Sequence, residues 1–117
     1  MADPQRRSLS DCDGLGLREE WFETLSEGRG SWQLERIVSR GQATAEGQWY
    51  DQNQEEWVLV VTGTADLTLI DAGQATTWRL VPGDLVRLPA GCRHRVDRTD
   101  DPVVWLALHL WAEDPSG

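Results

Sequence analysis

Histidine is the side chain best suited to move protons or hold a transition metal near neutral pH, and this chain has two, His94 and His109. His94 lies in Cys92-Arg93-His94-Arg95-Val96, a short run after a chain break in which alternate positions face opposite sides of a strand. Where that strand lines a barrel, His94 points inward; its alternative is a buried neutral imidazole bonded to a backbone carbonyl. His109 sits in the apolar run 103–111, and a one-residue register choice at the 99–102 turn decides whether it faces a cavity or solvent. Glu56 opens the Val-rich run EWVLVVT, either as a ligand or general base or as a solvated strand end beside Glu55. Cys92 shares a face with His94, although a lone Cys in a strand usually behaves as a small apolar residue. Arg98 shares that face by parity, where a guanidinium could pair with Glu56 or with an anionic ligand.

These groups must be positioned by short strands. Pro82-Gly83 is suited to the centre of a type II turn, because Pro sets φ at the first position and Gly accepts φ > 0 at the second. Residues 85–88 are then a strand, and Pro89-Ala90-Gly91 breaks the chain before His94. Upstream, 31–39 begins with alternating apolar residues, 40–48 is polar and reads as a loop or irregular edge strand, and 49–52 is a short aromatic segment. Residues 56–62 form the most apolar strand, 64–70 alternate cleanly, 71–74 make a hairpin turn and 75–81 return as its partner. Residues 17–25 carry Leu17, Trp21, Phe22 and Leu25, spaced either for a short amphipathic helical turn or for an extended arm. The pattern as a whole predicts roughly eight short strands and an all-β sandwich or barrel, best matched by a small jelly roll.

The spacing from Gly83 through five residues to Pro89, then Gly91, then two residues to His94 resembles the second sequence motif of the cupin superfamily. That motif normally ends in Asn four residues after its His, where this chain has Arg98. The family's first motif carries a His-x-His pair, a Glu and a Gly; Glu56 and Gly63 match its end, while Tyr50 and Gln52, or Trp49 and Asp51, stand where the two His would be. The resemblance implies a cupin-type jelly-roll β-barrel over residues 17–112, between a flexible tail at 1–16 and a short tail at 113–117. It also implies a pocket centred on His94, with His94 and Glu56 as ligands of a divalent metal (Fe, Mn, Ni or Zn) and Gln52 or Tyr50 completing the set. Three protein ligands are the usual minimum for a catalytic site, so the missing His pair shifts weight toward metal-free binding.

The composition bounds the function. Seven Trp against one Phe and one Tyr place large indoles in the strands, most of them expected in the core or barrel wall, with Trp49 and Trp57 as apolar walls of the pocket and His109 and Arg98 as polar lining. Every basic residue is Arg, which excludes lysine Schiff-base chemistry. A formal charge of −9 disfavours nucleic acid and anionic lipid as partners. No run approaches the roughly 18 apolar residues of a membrane span, and two Cys without an apolar leader suggest the cytoplasm. No phosphate-cradling glycine loop and no zinc-type Cys spacing occur. Three functions remain: a metal-dependent cupin enzyme of oxygenase, isomerase or lyase type; a metal-free pocket for a small molecule; or a structural, dimer-forming cupin without catalysis.

Overall fold

The computed structural model describes residues 7–13, 15, 18–27 and 31–112. Eight strands make up its regular structure: β1 Trp21–Glu27, β2 Trp32–Ser39, β3 Glu55–Thr62, β4 Ala65–Asp71, β5 Gln74–Leu80, β6 Leu85–Leu88, β7 His94–Thr99 and β8 Val103–Leu110. No helix occurs among the described residues, and none is long and apolar enough to cross a membrane. The strands form two antiparallel sheets, one ordered β1-β2-β8-β3-β6 and the other β5-β4-β7, as expected for a jelly roll. From Trp21 onward the segment 17–25, which could have been helical, is strand β1, paired with β2 around a bulge near Leu25.

The core is the set of alternate residues that the two sheets turn toward each other: Val58 and Val60 of β3, Leu67 of β4, Leu88 of β6, and Trp105 and Ala107 of β8. Period-2 alternation in β3 (Glu56, Val58 and Val60 in, Trp57 and Leu59 out) puts a carboxylate in line with the apolar inner face. Strand β8 is apolar on both faces because its outer face is also covered. There Val104 and Val38 meet Cys12, Leu15 and Val61. The covering stretch is held by arginines on β2 and just beyond it. Arg36 Nη1 donates to Ser8 O and Asp11 O while its Nη2 reaches both Glu23 carboxylate oxygens at 2.9 and 3.1 Å. Arg40 donates to Cys12 O and Leu15 O. Residues 1–6, 14, 16, 17 and 113–117, parts of the expected tails and of the barrel's expected start, lie outside the described residues.

The turns that frame β6 and β7 follow their sequence signals. Asp84 N donates to Val81 O at 3.0 Å across Pro82-Gly83, with Gly83 at φ 93°. Cys92 N likewise closes on Pro89 O at 3.0 Å with Gly91 at φ 77°. The polar stretch after β2 runs along the free edge of β7: Thr44 N donates to Val96 O, Tyr50 and His94 exchange both backbone hydrogen bonds, and Gly91 N donates to Gln52 O.

Candidate metal centre and cavity

Between the two sheets lies a cavity of about 150 Å³. Ile37, Val58, Leu67, Leu88, Val96 and Trp105 give it apolar walls, and Glu20, Glu35, Glu56, His94 and His109 give it chemistry. Phe22 and Tyr50, 56% and 48% exposed, line it where it opens to solvent.

On the β7 side, the reciprocal pair of backbone bonds between Tyr50 and His94 sets their side chains opposite each other on one face. Their rings stack with centroids 5.3 Å apart. His94 Nδ1 lies 3.0 Å from Cys92 O, a carbonyl that can only accept, so Nδ1 carries a proton and, in the neutral ring, Nε2 is the acceptor. That Nε2 faces Glu56 Oε1 at 4.0 Å without a hydrogen bond. Gln52 Nε2 donates to the same Glu56 oxygen at 2.8 Å. The four residues expected at a metal, His94, Glu56, Gln52 and Tyr50, are thus gathered in one place. Gln52, however, presents a donor to Glu56, and Tyr50 presents its ring face to His94. Burial pushes the Tyr50 phenol up, and the charges of Glu20 and Glu56 push it the same way.

The other oxygen of Glu56 turns toward β8. Glu56 pairs directly with His109 across the β3–β8 ladder, and Glu56 Oε2 is 3.6 Å from His109 Nε2. The same nitrogen bonds Glu35 Oε1 of β2 at 2.7 Å, and Gln54 lies 3.3 Å from His109 Nδ1. The hydrogen bond to Glu35 raises the His109 pKa; burial opposes this, and the Glu56 and Glu35 charges add to it. Glu35, Glu56 and His109 each offer one ligand atom, all within 4.8 Å of one another. His109 therefore faces the cavity, the register alternative left open by the sequence. Glu35 was not foreseen, although its parity with inward Ile37 and Ser39 is the signal that marks it.

Three expected lining residues lie elsewhere. Trp57 occupies an outward position of β3, opposite Arg87 and Leu108. Trp49 lies beneath the guanidinium groups of Arg93 and Arg95, 5.2 and 5.8 Å from its ring centroid. Arg98 pairs with Asp100 and Thr64 at 2.7 Å and with Asp66. The reason for Arg98 is a bulge: Asp66 and Leu67 pair with Arg98 and Val96, which leaves Asp97 as an extra residue and reverses the parity beyond it. The indoles are also less buried than expected, since Trp21, Trp78 and Trp111 are exposed and only Trp105 belongs to the buried core. Trp111 instead stacks on His109 at 5.7 Å.

The donor chemistry of Glu35, Glu56 and His109 suits a divalent ion: two carboxylates and one imidazole reach the usual minimum of three protein ligands. Gln54 beside Nδ1 would orient the imidazole, as a second hydrogen-bonding partner does for metal-bound histidines.

The chain is similar in structure to a candidate mannose-6-phosphate isomerase from Ralstonia eutropha, with 42% identity over 93% of this chain and 100% of that one and a TM-score of 0.82. It also resembles a cupin superfamily protein from Desulfitobacterium hafniense (19% identity, 93% and 94% coverage, TM-score 0.72). A third similar structure is a Bacillus subtilis oxalate decarboxylase variant (19% identity, TM-score 0.64), of which this chain covers 26% while 83% of its own length is matched. No curated protein matches the chain. The family model for the cupin domain matches residues 36–109, and with the paired sheets and the inward Glu56 and His94 it identifies this chain as a member of the cupin family.

Proposed function

We propose that this cupin holds a divalent first-row metal ion, Fe, Mn, Ni or Zn, on Glu35, Glu56 and His109, and acts on a small molecule bound in the adjoining cavity. The observation that carries this reading is the convergence of the three ligand atoms within 4.8 Å beside a cavity. When bound, such an ion supplies Lewis acidity and an activated water. His94 Nε2, the acceptor nitrogen of the neutral ring when Nδ1 donates to the Cys92 carbonyl, is placed to accept a proton from the bound molecule. Gln52 holds Glu56 in position through its hydrogen bond. The apolar walls exclude bulk water and strengthen these polar interactions. A cytoplasmic protein that pairs as a homodimer is the setting proposed, in line with two free thiols and the exposed Trp78 and Leu85 on edge strands. The name of the Ralstonia relative suggests a sugar phosphate, but among the described residues no Arg lines this cavity to receive a phosphate.

A second reading, a metal-free binding pocket, is favoured by one contact: the 2.7 Å hydrogen bond from His109 already satisfies Glu35 without an ion. Elemental analysis of the purified protein and of Glu35→Gln, His109→Gln and His94→Ala separates the two. Near-stoichiometric metal that is lost in the first two variants and kept in His94→Ala supports the proposed centre. Metal lost only in His94→Ala would move the ion to the family's usual position. A protein that neither carries nor takes up these ions would leave the metal-free pocket.

A further inference from the structure

We propose that the cavity takes a small organic cation, an amine with a compact apolar body, whose ammonium group sits at the mouth against Glu20, Phe22 and Tyr50. This rests on the reading of the cavity as a ligand site and not on the assignment of a metal.

The carboxylates that line the cavity keep spare acceptor capacity: Glu20 takes one hydrogen bond from Ser39, Glu35 one from His109 and Glu56 one from Gln52, against about four lone-pair sites on each. No Arg lies beside them among the described residues that line the cavity; the chain contains no Lys. A metal on Glu35, Glu56 and His109 would engage two of these carboxylates and leave Glu20 over. Glu20 is built in place: Ser39, 1% exposed, donates to its Oε2 at 2.6 Å, and Trp105 Nε1 donates to Ser39 Oγ at 3.0 Å. No Arg pairs with Glu20 among the described residues. The second, independent sign of a ligand is His94. It is 5% exposed and lines the cavity, yet its Nε2 has no hydrogen-bond partner, its nearest charged neighbour being Glu56 at 4.0 Å. In the neutral ring this nitrogen is an acceptor open to the cavity, and a ligand that donates meets it.

An ammonium group donates and cannot accept, whereas a phosphate or carboxylate ligand would add acceptors to acceptors. Aromatic faces beside a carboxylate are also the surroundings in which organic cations are held, through the negative π face. Phe22 and Tyr50 supply those rings at the mouth, and the smaller recess of about 50 Å³ that shares Glu20 and Tyr50 leaves room for an ammonium substituent. The main cavity, about 150 Å³ with aliphatic walls, limits the buried body to roughly the size of benzene.

Calorimetric titration of the full chain, both EDTA-stripped and metal-loaded, with 3-methylbutylamine, 3-methylbutanol, 3-methylbutanoate and methyl phosphate reads the preference directly. The amine is expected to bind at least about tenfold more tightly than the alcohol, the size of one charge-assisted hydrogen bond, and neither anion should compete with it. Glu20→Gln should remove about tenfold of that affinity while leaving the metal content unchanged. Tyr50→Leu should cost about two- to fivefold and reads the same mouth from its other side if Glu20→Gln does not fold. Equal binding of amine and alcohol, tighter binding of either anion, or an undiminished preference in Glu20→Gln would overturn the proposal. Amine binding to a protein that takes up no metal sustains it while removing the metal centre; metal uptake without amine preference does the reverse.

Discussion

Glu56 divides the site because its two oxygens face different histidines, Oε1 toward His94 at 4.0 Å and Oε2 toward His109 at 3.6 Å. The two imidazoles are prepared for opposite tasks. His94 donates its Nδ1–H to the Cys92 carbonyl and turns Nε2 to the cavity. His109 directs Nε2 at Glu35, and that hydrogen bond raises its pKa above the ordinary 6.5. A group whose folded pKa is raised contributes stability that is complete below its unfolded value and is lost as pH rises through the folded one. In EDTA, the stability difference between the wild type and Glu35→Gln should therefore be largest below pH 6.5 and shrink as pH rises above it, by urea denaturation at a series of pH values. A gap that is flat or widens with pH would contradict the assigned ion pair. Metal binding has the opposite sign, because His109 must lose its proton to ligate. Why Glu35 escaped sequence reasoning is also visible at this scale. The motif spacing directs attention to positions 50 and 52, whereas Glu35 reaches His109 from another strand and is marked only by parity with Ile37.

At the scale of strands, alternation and turn chemistry were legible, and the order and approximate bounds of β2 to β8 follow from them. Two features were not. Whether 21–27 is helix or strand depends on its partner β2, which propensity does not report. The side on which Arg98 emerges depends on the bulge at Asp97, an event of pairing with β4 rather than of composition. Gly63, by contrast, is legible in both sequence and structure. It joins β3 to β4 at φ 81°, and a Cβ there would come 2.5 Å from the Pro102 carbonyl and 3.0 Å from Val103 Cα. The clash is with backbone that is itself part of the β7–β8 connection, so no side chain can swing aside. Gly63→Ala should cost about 3 kcal/mol or more, combining left-handed strain with overpacking. Chemical denaturation measures it, and a loss under about 1 kcal/mol, the size of an ordinary exposed Gly→Ala effect, would show that the two turns can separate.

For the molecule as a whole, the acids inside the barrel oppose the packing that holds it together. The core is built largely from Val, Leu and Ala, with Trp105 as its one large ring, and beside it lie Glu35, Glu56 and His109, which a purely structural barrel would replace with aliphatic residues. A buried ion pair is often no more stable than an apolar pair of similar volume, while removal of one partner leaves a charge stranded. The two cases predict opposite signs here. His109→Leu alone leaves Glu35 and Glu56 without their shared partner, and should destabilise the metal-free protein by about 2–4 kcal/mol. The triple variant Glu35→Leu/Glu56→Leu/His109→Leu removes both carboxylates with their partner, extends the apolar wall of Ile37, Val58 and Trp105 and should recover that loss, ending about 1–3 kcal/mol above the wild type. Urea denaturation in EDTA at neutral pH compares the three proteins. If the triple variant is as unstable as the single one, the carboxylates and imidazole are structural supports of the barrel. If it is more stable than the wild type, the barrel carries its polar centre at the expense of its own stability, as expected of a site kept for binding.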